Sequence, residues 1–272
     1  MTQTYPDHPN LNDNYAPLRM ECEVNDLIVE GEIPQDLYGS FYRNGPDPQF
    51  PPLGQYHWFG GDGMVHAFHF ENGKISYLNR WSRTSKWLQE RKAGKSLIDG
   101  LNPMNSDPQW NPEGSDGTAN TNIIFHAGKL LALEEGHVPF ELDPITLESK
   151  GAYDYGGKLK SPMTAHPKID PVSGDMYGFS YTAENFFSSK MSYFVINSLG
   201  ELKTYEEFEA PFASMVHDFM VTDQHIIFPI FPLTIDFDRV VKGQSPIAWD
   251  PDKGTHVGVM PRNGSVDDIQ WF

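Results

Sequence analysis

Two histidines in this chain occur in similar local sequences, and their spacing indicates a metal site. His166 lies in Thr164–Lys168, and His217 lies in Met215–Phe219, 51 residues further along. That interval is close to one blade of a β-propeller, about 40–50 residues. A residue that recurs once per blade, at the start of an inner strand, points towards the propeller axis each time. Two imidazoles directed at one axis supply half of a metal site, so this pair is the first candidate for chemistry.

Other polar motifs are weaker candidates. His66 and His69 are three residues apart, but their surroundings predict a strand, where odd spacing places them on opposite faces. Residues 60–63 match neither phosphate-loop pattern and predict a tight turn entering a strand. The apolar segment 228–233 predicts a buried strand and turn, with a tunnel mouth or a patch that extracts a lipid substrate as the alternative.

The elements that must position these residues are predicted to be short strands. The 24 glycines and 22 prolines favour many strands and turns over long helices. The best helix candidate is 85–95, and 99–117 is predicted to be a long loop. Hairpins are predicted at 68–77, 170–177, 196–202 and 221–228, and the first contains Asn72-Gly73, a strong hairpin signal. The pattern is typical of an all-β sandwich, barrel or propeller, and weak similarity between the hairpins favours the propeller.

Composition limits the partners. A net charge of −17 disfavours binding to nucleic acid and to anionic lipid. The single cysteine, Cys22, excludes a disulfide framework and a cysteine-based zinc site. The polar segment 1–12 shows no signal peptide, and no apolar run reaches the length of about 18 residues that marks a membrane span. We therefore expect a soluble, cytoplasmic protein without a nucleic-acid partner.

A series of motifs in fixed order carries a resemblance to one family. The motifs are 31–39, 41–46, 59–66, 118–122, 165–171 and 217–218. In this order they resemble the carotenoid cleavage oxygenase family, which includes the bacterial lignostilbene dioxygenases, and the match extends from about Leu27 to Phe272. The resemblance implies an all-β, seven-bladed β-propeller with a non-haem Fe²⁺ held by four histidines on its axis. It also implies cleavage of a C=C bond by O₂ into two carbonyls.

The resemblance assigns roles to individual residues. His166 and His217 match the first two iron ligands. Glu135 matches a glutamate that hydrogen-bonds the far ring nitrogen of a ligand histidine and so fixes its tautomer. Thr121 matches a threonine beside the open coordination position, where it would restrict what binds.

Two further positions concern the substrate. Phe59 either lines the substrate tunnel or lies in the core, and Glu134 faces the tunnel or the solvent. In the lignostilbene branch a lysine at the position of Glu134 contacts the phenol hydroxyl, and a tyrosine with the same role aligns near Leu101. Their absence favours a carotenoid or apocarotenoid, although residues 91–96 look closer to the lignostilbene branch, whose phenolic stilbenes are the alternative. The expected partners are an apolar small molecule and O₂, with peripheral membrane contact for substrate extraction as an option.

The expected domain organisation is an N-terminal arm, 1–26, and a partial propeller, 27–272, that ends before the family's third iron histidine. We therefore expect an N-terminal fragment that is inactive alone. A non-catalytic propeller that serves as an interaction platform is the alternative from a different class. A six-bladed Ca²⁺ lactonase is disfavoured, because it needs Asp, Asn and Glu on the axis where this chain has histidines.

Overall fold

A computed structural model describes residues 4–54, 56–99 and 105–272 of the chain. The position near Leu101 that bears on the substrate lies outside these residues. The chain divides into two structural units, one from Met1–Glu134 and Pro139–Ala152, the other from Glu135–Val138 and Tyr153–Phe272. The predicted boundary after residue 26 falls just beyond the first strand, and the extent of the predicted propeller domain stays a prediction.

The first unit is built from antiparallel strands and one α-helix in the part of the chain that the structure describes. The elements are β1 (Glu23–Val24), β2 (Gly39–Pro46), β3 (Gly63–Glu71), β4 (Lys74–Trp81), α1 (Ser85–Ala93), β5 (Asn122–His126), β6 (Lys129–Leu133), β7 (Phe140–Leu142) and β8 (Ser149–Ala152). They form two four-stranded sheets, with strand orders β1-β4-β3-β2 and β5-β6-β7-β8. A core that includes Val65, Ala67, Leu130 and Phe140 packs between residues of these sheets.

The hairpin between β3 and β4 confirms the Asn72-Gly73 prediction. Glu71 pairs with Lys74, so the turn contains only the two residues Asn72 and Gly73. Their φ angles are 52° and 71°, the left-handed values that a type I′ turn requires at both central positions. Glycine and asparagine tolerate these angles, and the turn therefore sets the register of the whole hairpin.

Helix α1 begins and ends on local signals. The Thr84 side chain accepts a hydrogen bond from Trp87 N at the N-terminus, and Gly94 adopts the left-handed conformation just after the last helical residue. The predicted helix therefore exists, two residues shorter than the predicted range. The described part of the predicted loop, 99 and 105–117, contains neither strand nor α-helix.

The glycine-rich segment 60–63 is a turn that enters a strand, as predicted. A short 3₁₀ helix spans Trp58–Gly60, and Gly63 is the first residue of β3. Gly63 N donates a hydrogen bond to Thr118 O at 2.9 Å, and a Cβ added to Gly63 would overlap the Ala119 carbonyl. Glycine is required here because two backbone segments approach closely.

The second unit contains the two candidate metal histidines. Its elements are β9 (Lys168–Ile169), β10 (Met176–Ser180), β11 (Lys190–Ile196), β12 (Leu202–Glu209), β13 (Met220–Val221), β14 (His225–Ile230), β15 (Leu233–Ile235), α2 (Phe237–Val241), β16 (Ile247–Trp249), β17 (His256–Pro261) and β18 (Gln270–Trp271). The strands form sheets of order β12-β11-β10-β9 and β13-β14-β17-β18, together with the hairpin β15-β16. The three hairpins predicted from turn residues in this region are therefore confirmed.

A shared aromatic core joins the sheets of the second unit. Phe179 of β10 and Phe228 of β14 are both fully buried, and Phe219 packs against each of them. The apolar segment 228–233 combines a buried strand with an exposed apolar side chain. Phe228 and Ile230 are buried in β14, whereas Phe231 just after the strand is 47% exposed. The all-β prediction is confirmed. No helix among the described residues combines the length and apolar composition that crossing a membrane requires.

Candidate metal centre

His166 and His217 occupy equivalent places in the two sheets of the second unit. His166 lies just before β9, the first strand of its sheet, and His217 lies just before β13, the first strand of the other. The residue before each histidine, Ala165 or Val216, is buried. The buried neighbour anchors the backbone at both places, so each imidazole projects from a fixed point at a strand start, as predicted.

The two imidazoles converge. His166 Nε2 and His217 Nε2 lie 2.9 Å apart, with ring centroids 4.5 Å apart and the ring planes at 71°. Metal–imidazole bonds are about 2.0–2.1 Å long, so two nitrogens at right angles on one ion are separated by about 3 Å. The donor atoms therefore fit a shared metal ion, and imidazole nitrogen is a suitable ligand for iron.

Glu135 fixes the tautomer of His217. Its Oε1 is hydrogen-bonded to His217 Nδ1. A carboxylate can only accept, so His217 Nδ1 carries the proton and Nε2 keeps its lone pair for a metal. The Glu135 side chain is 14% exposed whereas His217 is 55% exposed. The half-exposed imidazole is thus held by a largely buried carboxylate, and the predicted role of Glu135 towards a metal ligand stays a prediction.

The second oxygen of Glu135 has a partner that sequence reasoning missed. The Tyr181 hydroxyl donates to Glu135 Oε2 at 2.7 Å, and Thr182 Oγ1 donates to the Glu135 backbone carbonyl at 3.5 Å. Tyr181 directly follows β10 and is 8% exposed. No sequence motif marks Tyr181. Its position directly after the apolar segment that forms the buried strand β10 is the one feature that could have pointed to it.

An ion pair joins the two strand starts beside the histidines. Lys168 Nζ lies 2.6 Å from Asp218 Oδ1, which also accepts a hydrogen bond from Phe219 N. This contact was also missed, although both residues fall in motifs that carried the resemblance. Because it joins residues within two positions of each histidine, it restrains the separation of the two rings.

The electrostatic surroundings favour the neutral form of His166. Burial lowers the pKa of His166, and the neighbouring His217 ring and the Lys168 ammonium lower it further, against an opposing effect of Asp218. A neutral imidazole is the form that binds a metal ion. Among the described residues, no group of three or more His, Cys, Asp or Glu side chains is arranged to hold a metal. Within that part of the chain the donor set is therefore the two histidines.

An apolar cavity adjoins His217. Its volume is about 440 Å³. Apolar side chains dominate its wall, and Trp249 and Phe231 are 63% and 47% exposed. The lining residues are Met215, His217, Asp218, Phe219, Met220, Pro229, Phe231, Leu233 and Trp249. An uncharged, apolar molecule is the kind of ligand that this cavity suits.

The other predicted site residues lie in the first unit. Phe59 is 67% exposed in the 3₁₀ helix, with its ring against His57, and is therefore not a core residue. Thr121 directly precedes β5, and its hydroxyl donates to Asn120 Oδ1 at 3.0 Å. Glu134 directly follows β6 and is partly buried. Their predicted roles towards iron and substrate stay predictions.

Comparison with known proteins identifies relatives along the whole chain. The profile of the retinal pigment epithelial membrane protein family matches residues 15–272. Isoeugenol monooxygenase from Pseudomonas putida is 42% identical over 267 residues, which cover 97% of this chain and 55% of that protein. The chain thus spans about half the length of the curated relatives it matches.

Solved structures agree in fold. Lignostilbene dioxygenase from Pseudomonas brassicacearum matches with a TM-score of 0.94 and 40% identity, over 100% of this chain and 57% of that one. Cobalt-substituted apocarotenoid oxygenase from Synechocystis matches with a TM-score of 0.78 and 30% identity, over 94% of this chain and 56% of that one. These matches confirm the partial-propeller fold class, and the cobalt-substituted relative implies a metal cofactor. The chain belongs to the retinal pigment epithelial membrane protein family, that of the carotenoid cleavage oxygenases.

Proposed function

We propose that these residues belong to a non-haem Fe²⁺ oxygenase that uses O₂ to cleave a C=C bond of an apolar substrate into two carbonyl products. The observation that carries the proposal is the 2.9 Å separation of His166 Nε2 and His217 Nε2. Two imidazole nitrogens at this distance suit one iron ion. Relatives whose names describe them as oxygenases support the same reaction class.

Iron bound to these histidines would supply the position at which O₂ is activated. The chain itself places the protons and restrains the ligands. Glu135 holds the proton of His217 on Nδ1, which leaves Nε2 free to bind. The ion pair between Lys168 and Asp218 restrains the two strand starts. An interaction platform without chemistry has no need of this carboxylate–imidazole pair, so the pair disfavours a non-catalytic propeller.

The apolar cavity beside His217 supports an apolar substrate. An alkene offers no charge for recognition, so the protein must position it by shape and exclude water around it. The wall contributed by Phe219, Phe231 and Trp249 has this character. We further propose that Phe59 contacts the substrate, that Thr121 restricts binding at the open iron position, and that Glu134 faces the substrate.

A phenolic alkene is the first candidate substrate. The relatives named for isoeugenol and lignostilbene share 42% and 40% identity with this chain, whereas the apocarotenoid oxygenase shares 30%. The TM-scores of 0.94 and 0.78 have the same order. These similarities outweigh the two positions, Glu134 and the one near Leu101, on which the sequence-based preference for a carotenoid depends.

An apocarotenoid is the second candidate, and Glu134 favours it. A carboxylate at this position cannot donate a hydrogen bond to a phenolate as a lysine can. A polyene substrate does not require a hydrogen-bond donor at this position. For either substrate we propose that the protein is cytoplasmic and that it contacts a membrane surface if the substrate is extracted from lipid.

The experiment that separates these proposals is a paired cleavage assay. The full-length protein is loaded with Fe²⁺ and given isotope-labelled O₂ with a hydroxystilbene or with an apocarotenal, and the aldehyde products are identified by mass spectrometry. We expect labelled aldehyde from the hydroxystilbene at the higher kcat/KM. Glu134→Lys should raise kcat/KM for the hydroxystilbene, and Glu148→Lys, an exposed position with the same charge change, should leave it unchanged.

Two outcomes would change the conclusion. A higher kcat/KM for the apocarotenal, together with no gain in Glu134→Lys, would replace the phenolic substrate with the polyene. Iron-loaded protein that cleaves neither compound and incorporates no label would contradict the oxygenase itself and favour a propeller that acts by binding.

A further inference from the structure

We propose that Tyr181 is a positioning residue for His217 and acts through Glu135. Its hydroxyl holds the Glu135 carboxylate in the orientation that keeps the His217 proton on Nδ1 and the Nε2 lone pair directed at the metal. The metal-binding consequence rests on the proposed function, whereas the effect on the imidazole does not.

The geometry forms a continuous chain of hydrogen bonds. Tyr181 donates to Glu135 Oε2 at 2.7 Å, and the other carboxylate oxygen, Oε1, is bonded to His217 Nδ1. One carboxylate therefore bridges a phenol and an imidazole through its two different oxygens. Tyr181 and Glu135 are 46 residues apart, and Glu135 and His217 are 82 residues apart, so local turn geometry produces neither contact.

Tyr181 is the rigid end of this chain of contacts. It belongs to the buried core of the second unit and is 8% exposed, in the same cluster as Phe179 and Tyr193. Glu135 lies outside any strand, and its side chain has several rotatable bonds. A fixed donor on Oε2 restricts rotation of the carboxylate, because rotation would break a hydrogen bond of normal length to a charged acceptor.

Loss of the hydroxyl has a defined chemical consequence. A carboxylate that rotates away releases His217 Nδ1, and the imidazole proton then redistributes between the two ring nitrogens. A proton on Nε2 occupies the lone pair that a metal needs, since only one ring nitrogen of a neutral imidazole is an acceptor. Removing the Tyr181 hydroxyl should thus shift the tautomer equilibrium of His217 and weaken metal binding.

The test uses a pair of matched tyrosines. Tyr181→Phe removes only the hydroxyl and retains the buried ring. Tyr193→Phe makes the same change in β11, where the buried Tyr193 hydroxyl has no hydrogen-bond partner among the described residues. A purely structural role for buried tyrosines would affect both variants, whereas the positioning role affects only the first.

Two measurements on each purified variant are independent of catalysis. The first is nitrogen NMR of labelled histidine in the metal-free protein at about pH 8, above the ordinary imidazole pKa of about 6.5. It reports which ring nitrogen of His217 carries the proton. The second is a Co²⁺ titration that gives the dissociation constant. Glu135→Gln, alone and combined with Tyr181→Phe, shows whether the tyrosine acts through the glutamate.

We expect Tyr181→Phe to increase the Nε2–H tautomer of His217 and to weaken Co²⁺ binding by about tenfold, the lower end of the range for outer-shell partners of a metal site. Tyr193→Phe should change neither quantity, and Tyr181→Phe should add little in the Glu135→Gln background. A Tyr181→Phe protein with wild-type tautomer and Co²⁺ affinity would overturn the proposal, as would equal losses in both tyrosine variants. A shifted tautomer in a protein that never binds Co²⁺ would support the positioning role and contradict the metal enzyme.

Discussion

His166 Nε2 and His217 Nε2 lie 2.9 Å apart although the residues are separated by 51 positions in the sequence. Each histidine is placed by the start of a different four-stranded sheet, so the contact depends on how the two sheets of this unit pack. The buried contacts among Phe179, Phe219 and Phe228 hold these sheets together. Without an ion, this separation is that of a hydrogen bond from one Nε2–H to the lone pair of the other Nε2, and we expect a bound metal ion to replace that shared proton.

Removal of either histidine should abolish metal binding. In His166→Ala or His217→Ala one of two converging nitrogens is lost, and we expect Co²⁺ affinity to fall by more than about 100-fold, beyond the 10–100-fold effect of outer-shell changes. Calorimetric titration and elemental analysis for iron provide the measurement. His225→Ala, at an exposed position in β14, is the control and should retain wild-type affinity. Equal affinity in all three variants would show that the metal binds elsewhere.

Neutralising Glu135 should weaken the site without removing a ligand. Glu135→Gln retains the side-chain size, but its amide oxygen is a weaker acceptor for His217 Nδ1 than a carboxylate. We expect a 10–100-fold lower metal affinity, about the range for such partners of ligand histidines. Glu184→Gln, an exposed residue of the same unit, tests the effect of charge loss alone. Wild-type affinity in Glu135→Gln would mean that this hydrogen bond does not control the ligand.

Asp47 should make stability depend on pH. The pKa of Asp47 is raised to about 6, chiefly by burial and also by the nearby Asp62, against the opposing effect of hydrogen bonds from the Leu18 and Arg19 N–H groups. The unfolded chain loses this proton near pH 4 whereas the folded protein keeps it until about pH 6. Unfolding therefore releases a proton in this window, and the free energy of unfolding falls as pH rises from about 4 to 6 and is level above.

Asp47→Asn tests this pH dependence. An asparagine can still accept from Leu18 N, the present partner of Oδ2, and it cannot ionise. At pH 7 its free energy of unfolding should exceed that of the wild type by up to about 3 kcal/mol, and near pH 4 the difference should vanish. Urea denaturation across pH 4–7 measures this, with the exposed Asp36→Asn as the control. A difference that is constant with pH would contradict the prediction.

A buried cluster of three charged side chains, Lys86 and Glu90 of α1 with Asp62, should stabilise the fold only while its cation is present. Lys86 Nζ lies 2.7 Å from Asp62 and 3.0 Å from Glu90, and the three side chains are 8%, 2% and 2% exposed. Burial opposes the charge on Lys86, but both carboxylates outweigh it and raise the pKa of the ammonium. Lys86→Met leaves two buried carboxylates without a cation and should cost about 3–5 kcal/mol of unfolding free energy.

Urea denaturation at pH 7 measures the effect of Lys86→Met. Lys92→Met, on the exposed face of α1, is the matched control and should change stability little. If both variants unfold at the same urea concentration, the cluster contributes no net stability.

A methyl group at Gly63 should destabilise the start of β3. An added Cβ would overlap the Ala119 carbonyl, and that atom belongs to the backbone and cannot rotate away. We expect Gly63→Ala to lower the free energy of unfolding by about 1–3 kcal/mol or more. Gly45→Ala, in the neighbouring β2, places its Cβ in open space and serves as the comparison. Equal melting temperatures for both variants would show that the two segments can separate without cost.

Local sequence predicted the elements well wherever a turn or cap sets the backbone. Asn72-Gly73 specified a two-residue hairpin because few residues adopt left-handed angles at both central positions. Gly94 ended α1 for a related reason, although the predicted range ran to 95. The spacing of His166 and His217 was also visible, since each lies within a short local motif at a predicted strand start.

The sequence by itself determined the strand-rich elements, the family and the histidine pair. Only the tertiary structure decided that Glu135 bonds His217 across 82 residues, that Tyr181 holds Glu135, and that a lysine of α1 is buried between two carboxylates. Turn and cap preferences are set by neighbouring residues and can be read along the chain. Contacts between distant residues depend on how sheets pack, and a residue's type does not reveal which distant group packing brings beside it.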